Sequence, residues 1–468
     1  MLRPMPTTRS QEVMSLVDVG APVIYWFRSD MRLQDNPAWT RACAMGRPVL
    51  AVTFAPVLSA REAAWGIPGL SPSRKAWWAA TVQELRRELD ALGVSLLVLR
   101  GGSMEALVRL FEASGAVALV CEEIAAPYER AQLSSLRASG IVVHSVWQGT
   151  LFKAEDLPFS VTDLPGVFTR FRNEVERAKV PFRTPLPAPV NVTGYDLACD
   201  AVSFAEDFVD GAAAGKFVAD PRSAFQWRSG SSGANDEVLH LDEVLAGSGG
   251  GHAYLQHYLE SGRVAQYKAT RNGLTGMAYS SKWSPWLALG AVSAPELMAA
   301  LKAHEREHGT TDGSYWLWFE LLWRDYFRWL HLQYGAGLYR PKGLLEAAKS
   351  ERVPHHRRSF TLWTQGRTGC DLVDAGMREL ACSGYLSNRM RQVVASFLIY
   401  ELGCDWRAGA AWFESQLLDF DVYSNQGNWL YIAGLGTDPR GGRRFNVAKQ
   451  TADHDPDGAY RALWSAGS

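Results

Sequence analysis

The chain has 468 residues, 48 of them Lys or Arg and 49 Asp or Glu, so its formal charge is −1, and 47% of it is apolar. At roughly 150 residues per domain the length allows two large units or three smaller ones, and the composition excludes a disordered polyelectrolyte, a collagen-like repeat and a polybasic tail. Charge balance excludes wholesale electrostatic capture by DNA and leaves any nucleic-acid contact to a local basic face.

Residues 1–20 lack the apolar stretch of a secretory signal and read as an N-terminal extension. From 21 to 150, the apolar runs 23–27, 49–54, 95–99, 116–120 and 141–146 alternate with helical patterns. β-Branched blocks that are apolar on both faces suit buried parallel strands. Between the second and third runs, Trp78, Val82, Leu85, Leu89 and Leu92 recur at spacings of 4, 3, 4 and 3, behind Ser71-Pro72 and before Gly93. That spacing predicts a capped amphipathic helix. The alternation predicts a doubly wound parallel α/β domain, with ligands at the carboxyl ends of its strands. No G-x-G-x-x-G opens a helix, so an ordinary dinucleotide fingerprint is absent.

Residues 151–250 carry the cluster Pro181, Pro185, Pro187 and Pro189 and the Gly/Ser-rich stretches 229–233 and 247–251, which read as a long, partly flexible connector. Residues 251–468 show only helical patterns, such as 315–334 and 377–401, and predict an all-helical domain. Eleven of the 18 tryptophans lie from Trp283 onward. The six cysteines, Cys43, Cys121, Cys199, Cys370, Cys382 and Cys404, form no C-x-x-C pair, which argues against a metal site and for a reducing compartment. No run approaches the roughly 18 apolar residues of a membrane span. The expectation is a soluble, cytoplasmic monomer without a metal.

Four constellations could carry chemistry. In Tyr315-Trp-Leu-Trp-Phe-Glu-Leu-Leu-Trp-Arg-Asp-Tyr-Phe-Arg-Trp329, Glu320 and Arg324 stand four apart. They could form an ordinary helical salt bridge, but among Trp316, Trp323 and Phe327 two charges are costly unless they face a polar pocket. Asn388-Arg-Met-Arg391-Gln392 and Asp419-Phe-Asp421-Val-Tyr-Ser-Asn425-Gln-Gly-Asn-Trp429 allow Arg391 to pair with Asp419 and place Asp421 and Asn425 at helical spacing. The bland alternative for the last is a capped helix followed by a Gly-Asn turn. Ser280-Ser-Lys-Trp-Ser284, before Pro285, suits either a phosphate at a helix start or simple N-capping. Basic residues gather at Arg352, His355, His356, Arg357 and Arg358, and at Arg440, Arg443, Arg444 and Lys449; with aromatics they would make a nucleic-acid groove.

Together these residues resemble the photolyase/cryptochrome family. The motifs Trp26-Phe-Arg-x-Asp-x-Arg-x-x-Asp-Asn-Pro37, Glu320-Leu-Leu-Trp-Arg-Asp, Thr368-Gly through Asp374-Ala-x-Met-Arg, Asn388-Arg-x-Arg391 and Asn425-x-Gly-Asn-Trp429 occur in family order over nearly the whole chain. Trp147-x-Gly-Thr-Leu151, Glu155-Asp-Leu-Pro-Phe159, Thr270-Arg-Asn-Gly273 and Asn446-x-x-Lys-Gln450 are similar to its cryptochrome DASH branch.

The resemblance implies a folded-back FAD in the helical domain, and light-driven electron donation from reduced FAD to a cyclobutane pyrimidine dimer, preferentially in single-stranded DNA. It implies FAD contacts from Tyr267, Ser280, Ser281, Ser284, Arg324, Asn388, Arg391, Asp419, Asp421 and Asn425. Within that set the serines grip the phosphates, Arg391 and Asp419 flank the isoalloxazine, Asp421 accepts from its pyrimidine edge, and Asn425 faces N5. Glu320, Trp323, Arg324, Asn388, Gln392 and Tyr431 match the dimer pocket; Gln392 and Tyr431 replace the Met and Trp of duplex-acting relatives. Asn388 and Gln392 stand where (6-4) photolyases have two histidines, which makes that activity an unsuitable fit.

Trp429 and Trp406 match two stations of the family's tryptophan relay, whereas the outer one, ten residues before Trp363, is Val353. Glu123 matches the carboxylate that contacts a methenyltetrahydrofolate antenna between the domains. A blue-light receptor signalling through partner or nucleic-acid binding is the alternative.

Overall fold

Strand β1 (Val23–Phe27) is buried along its whole length, and its side chains alternate between two cores. Val23, Tyr25 and Phe27 enter one, Ile24 and Trp26 the other, as the two-residue period of a strand requires. The remaining elements of this domain are α1 (Pro37–Cys43), β2 (Val49–Phe54), α2 (Ala60–Ala63), α3 (Pro72–Asp90), β3 (Leu96–Leu99), α4 (Met104–Ser114), β4 (Ala118–Glu122), α5 (Pro127–Ala138) and β5 (Val143–Val146). The five strands are all parallel in the order β3-β2-β1-β4-β5, with Val23 opposite both Val49 and Ala118. Helices α1 and α3 cover one face and α4 and α5 the other, which gives the doubly wound α/β domain expected. The computed structural model describes residues 20–101, 104–195, 246–345 and 353–465. The N-terminal extension before residue 20, Cys199, the 229–233 stretch and Arg352 lie outside the described residues.

Helix α3 has a second buried face that its periodicity does not reveal. Trp77 is buried against the other domain, donating its indole N–H to the Pro285 carbonyl at 3.3 Å and meeting Trp286 edge-on at 5.6 Å. The expected stripe residues Trp78 and Leu92 are only partly buried.

The helical domain comprises α6 (Phe168–Ala178), α7 (Gly247–Glu260), α8 (Arg263–Thr270), α9 (Ser284–Leu289), α10 (Ala294–His308), α11 (Asp312–Tyr334), α12 (Arg357–Thr364), α13 (Asp371–Ser383), α14 (Asn388–Tyr400), α15 (Trp406–Gln416), α16 (Val422–Ala433), α17 (Val447–His454) and α18 (Ala459–Leu463). No strand occurs among the described residues from 246 onward.

The reading of 151–250 as a partly flexible connector needs correction where it is described. Phe168, Phe171 and Val175 seat α6 in the helical core. The proline-bearing segment straps back over the sheet domain: Arg183 Nη2 and the Leu186 N–H donate to the Asp35 carboxylate at 2.8 and 3.0 Å, and Gly194 bridges to Val49. The Gly-rich stretch 247–251 opens α7 instead of forming a tether. A Cβ on Gly251 would lie 2.4 Å from Val292 Cγ2, so the small residue permits close helix packing. The single pattern over 377–401 is two helices. It breaks at Gly384, whose φ of 71° takes the left-handed region that glycine enters without strain, and resumes where the Ser387 side chain accepts from the Met390 N–H at 3.2 Å.

Candidate functional site

The site begins with α11, α14 and the approach to α16, which bring three distant charge motifs to one wall. Arg391 Nη2 donates to both oxygens of the Asp419 carboxylate at 2.9 and 2.7 Å, as its spacing allowed, and its Nε donates to the Leu386 carbonyl at 2.9 Å. Burial works against the Arg391 charge, but Asp419 holds its pKa above the ordinary arginine value. Asp421 caps α16, accepting from the Ser424 N–H at 2.7 Å, and pairs with buried Arg328. Burial alone would raise Asp421; Arg328 and Arg324 overcome it and hold the carboxyl at about 2. The Gly-Asn turn is not formed, because Gly427 and Asn428 lie inside α16. A Cβ at Gly427 would fall 2.1 Å from the Phe327 ring, so α11 and α16 touch there.

Glu320 and Arg324 do not pair with each other. Glu320 pairs with Arg271, whose guanidinium lies 4.2 Å from the centroid of Trp316, while Arg324 Nη1 donates to the Gly149 carbonyl at 2.7 Å. Burial raises the Glu320 carboxyl and Arg271 partly reverses this.

Both line a cavity of about 230 Å³ together with Tyr267, Ser280, Ser281 and Ser284. The serine segment turns sharply: Ser280 and Lys282 occupy left-handed backbone, at φ 62° and 54°, which non-glycine residues rarely adopt. Trp283 occupies the N-cap of α9 without a side-chain hydrogen bond, so the hydroxyls are not spent on capping that helix. Lys282, in the same wall, is 2% exposed, with its ammonium 5.1 Å from the Tyr385 ring centroid. Burial pushes it down to about 8, against the pull of Glu379.

A second cavity of about 80 Å³ shares Asn388, Arg391, Asp419, Asp421 and Ser424 with the first. Its other walls include Gln392, Phe413, Asn425 and Trp429. Asn425 Nδ2 is committed to the Ala410 carbonyl at 3.0 Å, which leaves the amide oxygen to face other partners. The two cavities therefore adjoin at the Arg391–Asp419 pair, a polar arm walled by hydroxyls and a buried cation, and an aromatic arm in which Phe413, Phe420 and Trp429 stand among amides and carboxylates.

Residues 23–190 match the DNA photolyase family and residues 316–466 the FAD binding domain of DNA photolyase. The cryptochrome DASH of Synechocystis is 38% identical, over 95% of this chain and 88% of that protein. The chain belongs to the photolyase/cryptochrome family, in its cryptochrome DASH branch. Among solved structures, the Synechocystis cryptochrome superposes with a TM-score of 0.78 at 36% identity, covering 95% of this chain and 88% of that one. A bacterial class III photolyase from Agrobacterium tumefaciens gives 0.71 at 26%, covering 97% and 88%.

Against this family's expectations, the structure divides the aromatic residues assigned to the dimer pocket from the rest. Trp323 and Tyr431, whose rings meet at 5.9 Å, line a separate cavity of about 50 Å³ with Phe168, Tyr326 and Phe327. Trp406 is buried and donates its indole N–H to the Pro341 carbonyl at 3.0 Å.

A fourth cavity, of about 250 Å³, opens between the domains at the carboxyl ends of the strands, walled by Trp26, Phe54, Trp78, Tyr128 and Arg328. Its carboxylate from β4 is Glu122, not the expected Glu123. Glu123 accepts from Ser145 Oγ at 3.3 Å and faces Arg130 at 3.9 Å. Burial, reinforced by Asp30, raises the Glu122 carboxyl.

Arg328 and Arg271 escaped the sequence reading. Arg328 lies four residues beyond Arg324 on α11 and could have been found by that spacing; Arg271 stands in the quoted Thr270-Arg-Asn-Gly273 stretch, but that motif gives it no partner. The second basic group is largely paired, Arg440 and Arg443 with Asp438 and Arg444 with Glu401, and Arg443 also stands 4.9 Å from the Tyr431 ring centroid. Among the described residues, no helix is long and apolar enough to cross a membrane, and no cluster of potential metal ligands occurs.

Proposed function

We propose that the protein repairs cyclobutane pyrimidine dimers in a light-driven reaction, preferentially in single-stranded DNA, acting as a cytoplasmic monomer. The observation that carries this reading is the two-armed site made by adjoining cavities that share the Arg391–Asp419 pair. Its polar arm fits the ribityl and pyrophosphate portion of FAD, through Ser280, Ser281, Ser284 and Lys282, with Tyr267 beside them. Its aromatic arm, with Phe413 and Trp429, fits a flat ring system.

When bound and reduced, FAD supplies a photoexcited one-electron donor, chemistry that belongs to the cofactor and not to any side chain. The chain supplies position and field. Arg391 keeps positive charge beside the ring site, Asp421 presents a carboxylate that stays ionised, and Asn425 offers an amide that adds no negative charge. Glu320 and Arg324, in the wall of the polar arm with Asn388, provide hydrogen bonds for an extruded dimer, and Gln392 lies in the wall of the adjoining arm.

Extruding a dimer from a duplex costs a few kcal/mol of stacking and pairing that a single strand has already lost. Gln392 and Tyr431 are less bulky and less apolar wedges than Met and Trp for opening a duplex, which supports the single-strand preference. A methenyltetrahydrofolate antenna completes the reading, placed in the interdomain cavity with Glu122 as the wall carboxyl.

The decisive experiment illuminates reduced protein with dimer-bearing oligonucleotides, single- and double-stranded, beside dark controls. Light-dependent loss of dimers, faster on single strands, is the expected result. Bound flavin that photoreduces without repairing either substrate would assign the chain to blue-light sensing instead. Glu320→Ala is expected to retain bound flavin while slowing repair by about tenfold, equivalent to about 1.4 kcal/mol of barrier. Unchanged repair would remove Glu320 from the pocket.

A further inference from the structure

The relay that would feed electrons to the flavin site starts at Trp429, a buried ring in the wall of the aromatic arm. Val353 supplies no ring where relatives have the outer tryptophan. The structure instead offers a continuous series of ring contacts in another direction. Trp429 meets Trp363 at 6.5 Å between centroids, and Trp363 lies nearly parallel to Phe360 at 6.0 Å. Phe360 meets His355 at 5.4 Å, and His355 meets Trp65 edge-on at 5.0 Å. Trp65, from the segment after α2 of the other domain, is the half-buried end of the series.

We propose that Trp65, reached through Trp363, is the outer electron-donating station of this chain and serves in place of the aromatic ring missing at Val353. The proposal rests on the reading of a photoreducible flavin in the helical domain.

The physical argument concerns where a positive charge can rest. Trp363 is wholly buried, and its indole N–H is held by the Val394 carbonyl at 3.1 Å, which is too weak a base to take the proton. A cation there lacks hydration, and burying an unpaired charge is costly. Trp65 reaches solvent, so water can both stabilise the charge and accept the indole proton. Phenyl and imidazole rings are harder to oxidise than indole, so Phe360 and His355 bridge the two tryptophans without themselves becoming oxidised. Burial lowers the His355 pKa, which keeps this bridging ring neutral. Arg407, 5.6 Å from the Trp65 ring centroid, is charge-compensated by Asp405 at 2.6 Å and does not oppose the hole.

Trp429 gives one electron to the photoexcited oxidised flavin, Trp363 refills Trp429, and Trp65 refills Trp363. Trp65, one electron short, releases its N–H proton to water and recovers a hydrogen atom from an added thiol. Two thiyl radicals then couple to a disulfide.

The test uses the full-length, flavin-loaded protein, oxidised, under blue light with dithiothreitol. Flavin absorbance is followed with time, and tryptophan oxidation products are mapped by mass spectrometry after illumination without thiol. Trp65→Phe and Trp363→Phe are expected to bind flavin normally yet photoreduce it severalfold more slowly. Trp65→Tyr, which keeps an oxidisable ring, should recover most of the rate. Oxidation products should accumulate at Trp65 and not at the half-buried, off-route Trp316. Wild-type rates in both Phe variants, with Trp429→Phe inactive, would overturn the Trp65 terminus and leave the functional reading intact. Normal photoreduction in Trp429→Phe would also overturn the route, whereas a protein without bound flavin would overturn the functional reading itself.

Discussion

Arg391→Leu is expected to yield a colourless protein that unfolds at markedly lower urea concentration. Asp419 is 6% exposed, and both oxygens of its carboxylate accept from the Arg391 guanidinium. Removing one partner leaves an uncompensated carboxylate in the cavity wall, a loss of about 3–5 kcal/mol. Flavin content and urea unfolding of the same preparation give the two readouts. Replacing both members, Arg391→Leu with Asp419→Leu, should recover much of the stability without recovering flavin, because a buried ion pair and apolar groups of similar volume are often equally stable. A single variant that keeps its colour and its unfolding midpoint would show that the pair serves neither purpose.

Acid should expose the second large effect, at Asp421. Its folded carboxyl sits at about 2, below an unfolded value of about 3.9. A depressed pKa contributes stability that is complete above the unfolded value and disappears as pH falls through the folded one. The pairing with Arg328 and Arg324 should therefore contribute about 2–3 kcal/mol at neutral pH, lost between about pH 5 and pH 1. Urea unfolding across that range, compared with Asp421→Asn, isolates this group from the other carboxylates. The wild-type protein should lose more stability on acidification than the variant, with the two curves approaching each other near pH 2. Parallel curves would mean that Asp421 titrates alike in both states. At neutral pH the variant should be the less stable, because buried Arg328 has lost its counter-charge.

These two residues also show how far local reasoning reaches. Arg391 and Asp419 are legible as a pair because each belongs to a recognisable motif and the family places those motifs together. Arg328 carries no motif of its own, and its partner lies 93 positions away, so only the folded chain joins it to Asp421. Glu320 and Arg324 illustrate the converse, since their place in a polar cavity was legible and their partners were not. Their spacing permits a helical salt bridge, but Glu320 instead pairs with Arg271, just past the end of α8, and Arg324 with the Gly149 carbonyl from the preceding domain. Motif matching assigns Trp323 and Tyr431 to one pocket with Glu320 and Gln392, yet the packing of α11 against α16 turns them into a neighbouring cavity.

The sequence by itself determined the parallel sheet, the helical half and the family, because apolar periodicity and motif order are written in consecutive residues. Even the alternation of β1 between two cores follows from neighbours along the chain. Tertiary structure alone decided which charge meets which and which side chain enters which cavity. Glu122 faces the interdomain cavity while Glu123 turns to Ser145 and Arg130, a difference of one residue at the end of β4. The physical reason is that a buried charge takes whatever partner the packed elements deliver to it, and those elements come from distant parts of the chain. The same holds for Trp65, whose place beside His355 depends on the docking of one domain against the other.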